Sequence, residues 1–179
     1  MVLAEDETDV LLFPPLRAAW AERGRQAEVR ISGRNAHRVL FGALNLRTGH
    51  HVLVASHRQQ AGDFCTFLRD LRRRYRGRAL VLLLDENSIH TAHASEKLAA
   101  ALHIDLLWLP KRCPELNPMD HLWRSVKGDV CANRQDANVD LTVSRIMRYA
   151  RRIRPGAALV KAGARSAHFW LRRALSNRR

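Results

Sequence analysis

The sequence predicts an α/β fold in which a mixed sheet is flanked by helices. Three observations lead there. Short apolar runs alternate with stretches of helical periodicity. One of the runs, residues 79–84, is apolar throughout, so both of its faces must be buried, as in the centre of a sheet covered on both sides. The early strands are joined by short turns and should be antiparallel, whereas the later ones are separated by helices and should be parallel.

Taken in order, residues 2–4 form a short apolar strand that runs into Glu5, Asp6 and Glu7. Residues 16–23 follow Pro14-Pro15 and read as a short helix. Residues 29–31, 38–46 and 51–55 read as strands, with Thr48-Gly49 turning between the last two. Residues 63–76 have helical spacing: Phe64, Phe67, Leu68 and Leu71 line one face, and Arg69, Arg72, Arg73 and Arg76 the other. The strand at 79–84 ends on Asp85-Glu86-Asn87, and a helix follows at 95–102. Residues 104–109 read as a second buried strand, stopped by Pro110. Asn117 at the N-cap and Pro118 in the first turn open a helix with the stripe Met119, Leu122, Trp123, Val126 and Val130. A helix over 139–153 is broken by Pro155-Gly156, and a last helix covers 166–175. Three strands, helix, strand, helix, strand and helices, with an extra strand at the N-terminal edge, make the ribonuclease-H-like arrangement.

The 179 residues suffice for one domain with a real core, and 46% apolar against 27% charged residues suit a globular chain. No apolar run approaches the ~18 residues of a membrane span and no signal pattern opens the chain, so a cytoplasmic, nucleoid-associated protein is expected, with no membrane partner. Cys65, Cys113 and Cys131 are too few and too scattered for a disulfide framework. The charge is more telling. Lys plus Arg number 31 against 17 acids, for a net +14, which calls for a polyanionic partner, most commonly nucleic acid. From residue 141 onward there are eleven cations and no Asp or Glu, and Tyr149, Phe169 and Trp170 lie among the charges. A disordered tail would have few such aromatics, so this region reads as a phosphate-binding surface.

Asp85 follows the buried strand directly, where the ligand crevice of such a sheet opens. Taken singly it reads rather as a turn residue that ends the strand. Asp120 stands in the first turn of its helix, where an acid also suits the helix dipole and can pair with Arg124 one turn on. Asp6 follows the first strand, with Glu7 and Asp9 nearby, and so short a strand does not say which of the three points inward. Together, three carboxylates at element ends along one sheet edge can hold two divalent cations. Mg²⁺ prefers carboxylate and water oxygens, and two such ions can activate a nucleophile and stabilise the leaving oxygen of a phosphodiester.

The stretch Leu109-Pro110-Lys111-Arg112-Cys113-Pro114-Glu115-Leu116-Asn117-Pro118-Met119-Asp120-His121-Leu122-Trp123-Arg124 resembles the LPxxSPxLNPIExxW signature of DDE transposases, and more narrowly the insertion-sequence 630 family of the mariner superfamily. Leu84-Asp85-Glu86-Asn87-Ser88-Ile89-His90 is similar to that family's LDNAxxH box. Glu5-Asp6-Glu7-Thr8, with Trp20, Gly24 and Phe41-Gly42-Ala43-Leu44, resembles its first acidic box and the strand after it, and Gly163, Ser166 and Phe169-Trp170 resemble its C-terminal end. The resemblance implies a catalytic, metal-binding triad of Asp6, Asp85 and Asp120, the last two separated by 34 residues as in the superfamily. It further implies two Mg²⁺ or Mn²⁺ ions and double-stranded DNA as partner, cut at transposon ends and joined at a TA target. A homodimer and a separate helix-turn-helix polypeptide are compatible partners.

Three departures stand out. The third acid is Asp, as in the mariner branch, rather than the Glu of the bacterial one. The second box reads Asp-Glu-Asn instead of Asp-Asn, so Asp85 and Glu86 both compete for the ligand place, with the strand end and the interval favouring Asp85. The N-terminal helix-turn-helix region of such enzymes is expected to be absent, since the chain opens almost on the first catalytic strand. Lys111, Arg112, Arg148, Arg151, Arg152, Arg172 and Arg173 are candidate DNA-backbone contacts. His90 is placed near the site, where it could orient a phosphate or water. Zinc is disfavoured for His90 and His93, because no matching Cys or His cluster follows. Cleavage and strand transfer is thus the expected function, against two rivals: a DNA-binding remnant without activity, and a ribonuclease-H-like nuclease that cuts but does not join.

Overall fold

The computed structural model describes residues 1–176. Its centre is a five-stranded mixed sheet in the order β3-β2-β1-β4-β5. The strands are β1 (Val2–Leu11), β2 (His37–Asn45), β3 (His51–Ser56), β4 (Leu80–Leu84) and β5 (Ile104–Trp108). As expected, β1, β2 and β3 pair antiparallel, and β1, β4 and β5 pair parallel. Helices α1 (Ala61–Arg74), α2 (Ser88–Thr91) and α3 (His93–Ala101) belong to one side of the sheet. Helices α4 (Pro118–Val130), α5 (Val139–Arg152) and α6 (Pro155–Lys161) cover the other, and α7 (Arg172–Ser176) follows them.

Strand periodicity divides the core between these two layers. Leu3, Val39, Phe41, Leu80, Leu82 and Leu84 pack on Phe64, Phe67, Leu68 and Leu71 of α1. Ala4, Val10, Leu40, Leu44 and Leu83 pack on Met119, Leu122, Trp123 and Val126 of α4 and on Val143 and Ile146 of α5. The Thr48-Gly49 turn forms as read, with Gly49 at φ 78° in the left-handed region that favours glycine.

Several elements depart from the sequence reading. The first strand is ten residues long and lies in the middle of the sheet, not at an edge. Its acids hid it: Glu5 and Glu7 are polar in sequence, yet they lie on a strand face that is buried. Neither the helix at 16–23 nor the strand at 29–31 forms. That segment is irregular and exposed, with Leu16, Trp20 and Ile31 all in solvent, and a short helix with no face to bury is marginal in water. It is held instead through Asn133, whose side chain accepts from the Arg17 backbone N–H and donates to the Arg17 carbonyl. Strand β5 is an edge strand with Leu107 exposed, not a second central one. Pro155 ends α5 but opens α6, since proline suits a first helical position. The last helix shrinks to Arg172–Ser176.

Candidate active site

Asp6, Asp85 and Asp120 line one cleft of roughly 110 Å³, together with Leu109, Pro110, Arg112, Cys113, Pro114 and Asn117. Asp6 is brought there by β1, Asp85 by the end of the parallel neighbour β4, and Asp120 by the first turn of α4. The N-cap residue of α4 and one side chain within it fix that helix against β1. Asn117 accepts a hydrogen bond from the Met119 backbone N–H at 3.0 Å and donates to the Glu5 carbonyl at 2.7 Å. The Trp123 indole donates to the Asp6 carbonyl at 3.2 Å. Asn117 therefore caps the helix and anchors it in the sheet at once. Gly42 pairs with Asp6 across the antiparallel ladder, and a Cβ there would stand 2.4 Å from Met119 Cε and 2.5 Å from Trp123 Cζ2. Only glycine allows α4 to approach this closely.

Burial, and then the charges of Glu7, Asp120 and Asp85, push the Asp6 carboxyl up from an ordinary 3.8 to about 8. Asp85 behaves oppositely: hydrogen bonds from His90 and from the Asn87 backbone N–H hold it below the usual carboxylate range despite partial burial. Asp120 is paired with Arg124 at 2.6 Å. Asp6 has no ion-pair partner among the described residues. A cleft in which like charges converge on an unpaired carboxylate suits a divalent cation, and Mg²⁺ or Mn²⁺ fits this all-oxygen donor set.

On the opposite face of β1, Glu5 and Glu7 point away from Asp6 towards His90. His90 lies in α2, five residues beyond Asp85, and is 1% exposed. Its Nε2 is 2.7 Å from Glu7 Oε1, and its Nδ1 is 3.0 Å from the Asp85 carbonyl and 3.1 Å from Asp85 Oδ1. Burial pulls the imidazole down, but the hydrogen bonds to Asp85 and Glu7 and the charges of Glu5 and Glu7 outweigh it and lift the ring to about 11. Burial, with the Glu7 charge, raises Glu5, whose two oxygens have no hydrogen-bond partner. His90 is thus closed off beneath the cleft and is not available to a phosphate or a water in it. The Glu5–Glu7–His90 group escaped the sequence reading, although the alternation of Glu5, Asp6 and Glu7 already implied two acids on the face opposite Asp6.

The candidates around the first acid separate cleanly: Asp6 lines the cleft, Glu7 lies under it, and Asp9 is exposed. Glu86 turns to Lys111, 3.0 Å away. Arg112 borders the cleft. Arg148 and Arg152 are exposed on α5, and Arg151 lines a different hollow with His50, His51 and Arg74 beside edge strand β3. Arg172 and Arg173 line another beside Phe169 and Trp170. Arg178 and Arg179, the last two cations of the basic C-terminus, lie outside the described residues.

Comparison with known proteins bears on the family and the fold. The chain is 26% identical over 156 residues to the "Insertion element IS630 uncharacterized 39 kDa protein" of Shigella sonnei, which is 86% of this chain and 46% of that protein. It is 39% identical over 54 residues to the Tcb2 transposase of Caenorhabditis briggsae, 30% of this chain and 20% of that one. The chain thus spans less than half the length of either relative. Among solved structures, the Mos1 transposase paired-end complex with the left transposon end superposes with a TM-score of 0.69 at 17% identity, covering 90% of this chain and 51% of that one. The Mos1 mariner transposase catalytic domain superposes with a TM-score of 0.64 at 13% identity, covering 90% and 74%. At these identities the likeness establishes the fold, which is the ribonuclease-H-like one expected. Residues 1–141 match the family described as DDE superfamily endonuclease, and with that match over most of its length the chain belongs to the DDE superfamily of endonucleases.

Proposed function

We propose that the chain is the catalytic part of a transposase of the insertion-sequence 630 and mariner kind, which cuts and rejoins double-stranded DNA. The observation that carries this reading is the meeting of Asp6, Asp85 and Asp120 in one cleft of a DDE-superfamily chain. These three residues would hold two divalent ions, Mg²⁺ or Mn²⁺. Mos1 structures bearing Mg and Mn, and others with transposon-end DNA, support the choice of ion and substrate. Bound there, the ions would favour the nucleophile and neutralise charge on the leaving oxygen.

The chain supplies placement. Asn117 and Trp123 lock Asp120 against the strand that carries Asp6, and Arg124 restrains the Asp120 carboxylate. Arg112, at the cleft wall, would take a phosphate of the scissile strand. Lys111, Arg148, Arg151, Arg152, Arg172 and Arg173 would hold the backbone further out. No side chain forms a covalent intermediate. In the first step water attacks phosphorus and the 3′ oxygen leaves, giving a 3′-OH end. In the second that hydroxyl attacks a target phosphodiester, forming the new bond while the target's own 3′ oxygen departs. Transposon ends and a TA target are the proposed substrates.

The test is nicking and joining of duplex DNA with Mn²⁺ or Mg²⁺. Asp85→Asn and Asp120→Asn should each lower the rate by more than the roughly 10–100-fold typical of losing a group that merely supports a metal ligand. Wild-type rates in either variant would remove these residues from the site.

A further inference from the structure

Asp85 sits just past the end of β4, and its side chain is 57% exposed. A carboxylate so placed is free to rotate unless something holds it. Two hydrogen bonds do so, and both end on the same oxygen: the Asn87 backbone N–H at 3.0 Å and His90 Nδ1 at 3.1 Å both reach Oδ1. Oδ2 has no partner among the described residues. The ring that donates to Oδ1 is fixed in turn. Its Nδ1 also reaches the Asp85 carbonyl, its Nε2 reaches Glu7 on β1, and its face packs on Phe64 with centroids 4.6 Å apart. His90 thereby joins two neighbouring strands, each of which carries a carboxylate of the cleft.

We propose that His90 is a positioning residue: Glu7 sets the imidazole through Nε2, and the imidazole sets Asp85 through Nδ1, leaving Oδ2 as the oxygen offered to a divalent ion. This rests on the reading of Asp85 as a metal ligand. His90 itself touches neither metal nor DNA. Its part is that of the outer groups that orient metal-binding carboxylates, whose loss usually costs 10–100-fold in metal affinity.

The experiment is a Mn²⁺ titration of the full 179-residue chain by electron paramagnetic resonance, with a thermal melt of each variant to establish folding. Asp85→Asn comes first: unchanged affinity there overturns the metal reading itself. Given a loss, His90→Gln is informative, because its amide reaches the Nε2 position and keeps Glu7 but abandons Asp85. It should weaken Mn²⁺ binding roughly 10–100-fold. His90→Asn puts an amide nitrogen where Nδ1 stands and should recover most of that loss. Adding His90→Gln to Asp85→Asn should change nothing further. Equal losses in the Gln and Asn variants, or an undiminished loss in the Asp85→Asn background, would overturn the inference and leave the metal reading intact. So would nitrogen hyperfine coupling from His90 on the bound Mn²⁺, which would make it a ligand. Should the His90 variants fail to fold, Glu7 gives the same contrast. Glu7→Gln still accepts from Nε2 and should keep affinity, Glu7→Leu should lose it, and equal affinities overturn the proposal.

Discussion

Asp6 and His90 are held in protonation states that an unfolded chain would not share, and this makes stability depend on pH. The native Asp6 carboxyl titrates at about 8 against an ordinary 3.8, so the folded protein keeps a proton there that the unfolded chain releases. His90, at about 11 against 6.5, does the same at higher pH. Both groups contribute stability that is complete below their unfolded values and is lost as pH rises, through the window from about 4 to 8 for Asp6 and from 6.5 to 11 for His90. In chelator, Tm should therefore fall between pH 6 and 8, and Asp6→Asn should flatten that slope. A slope of the same steepness in Asp6→Asn would show that Asp6 does not carry it. If Mg²⁺ binds in place of that proton, it should stabilise the wild-type chain more at pH 8 than at pH 6. At this scale Asp85 and Asp120 were legible because a strand end and a helix cap are local signals. His90 was placed near the site, but what it does there was not legible, since its decisive partner Glu7 lies 83 residues earlier on another strand.

Among the elements, β1 and α4 decide the geometry of the cleft. The pairing of β1 with β4 sets Asp6 beside Asp85, and the anchoring of α4 on β1 brings in Asp120. Gly42 is the point at which that anchoring is most sensitive. Gly42→Ala places a methyl group against Met119 and the rigid Trp123 ring. The expected cost is about 1–3 kcal/mol in urea unfolding, the usual range for overpacking. Mn²⁺ affinity should fall as well, because α4 must move away from the strand that holds Asp6. A variant as stable as the wild type would mean that α4 yields freely here. The periodicity of α1, α4 and α5 was read correctly because each has a continuous apolar stripe. Residues 16–23 and 29–31 were misread because their apolar residues, Trp20 among them, suggest a buried face where the fold provides none.

Taken whole, the molecule is a net +14 body whose cations spread over several surfaces while Asp6, Asp85 and Asp120 gather in one cleft. No helix among the described residues is long and apolar enough to cross a membrane. If α5 carries DNA backbone contacts, replacing Arg148, Arg151 and Arg152 with Gln should reduce the slope of log affinity against log salt by about 0.9 per arginine. An unchanged slope would take α5 out of the interface. By itself the sequence determined the fold class, the strand directions, Asp85 and Asp120 as candidates, and the motif that brings α4 to them. These follow from local periodicity, from capping and from a resemblance written in contiguous residues. Only the tertiary structure decided that β1 is central, that Asp6 and not Glu7 or Asp9 faces the cleft, and that His90 supports Asp85 from below. The physical reason is that burial and pairing depend on what lies on the neighbouring strand and helix. Two acids in a ten-residue strand look like surface until a histidine from the next layer is folded against them.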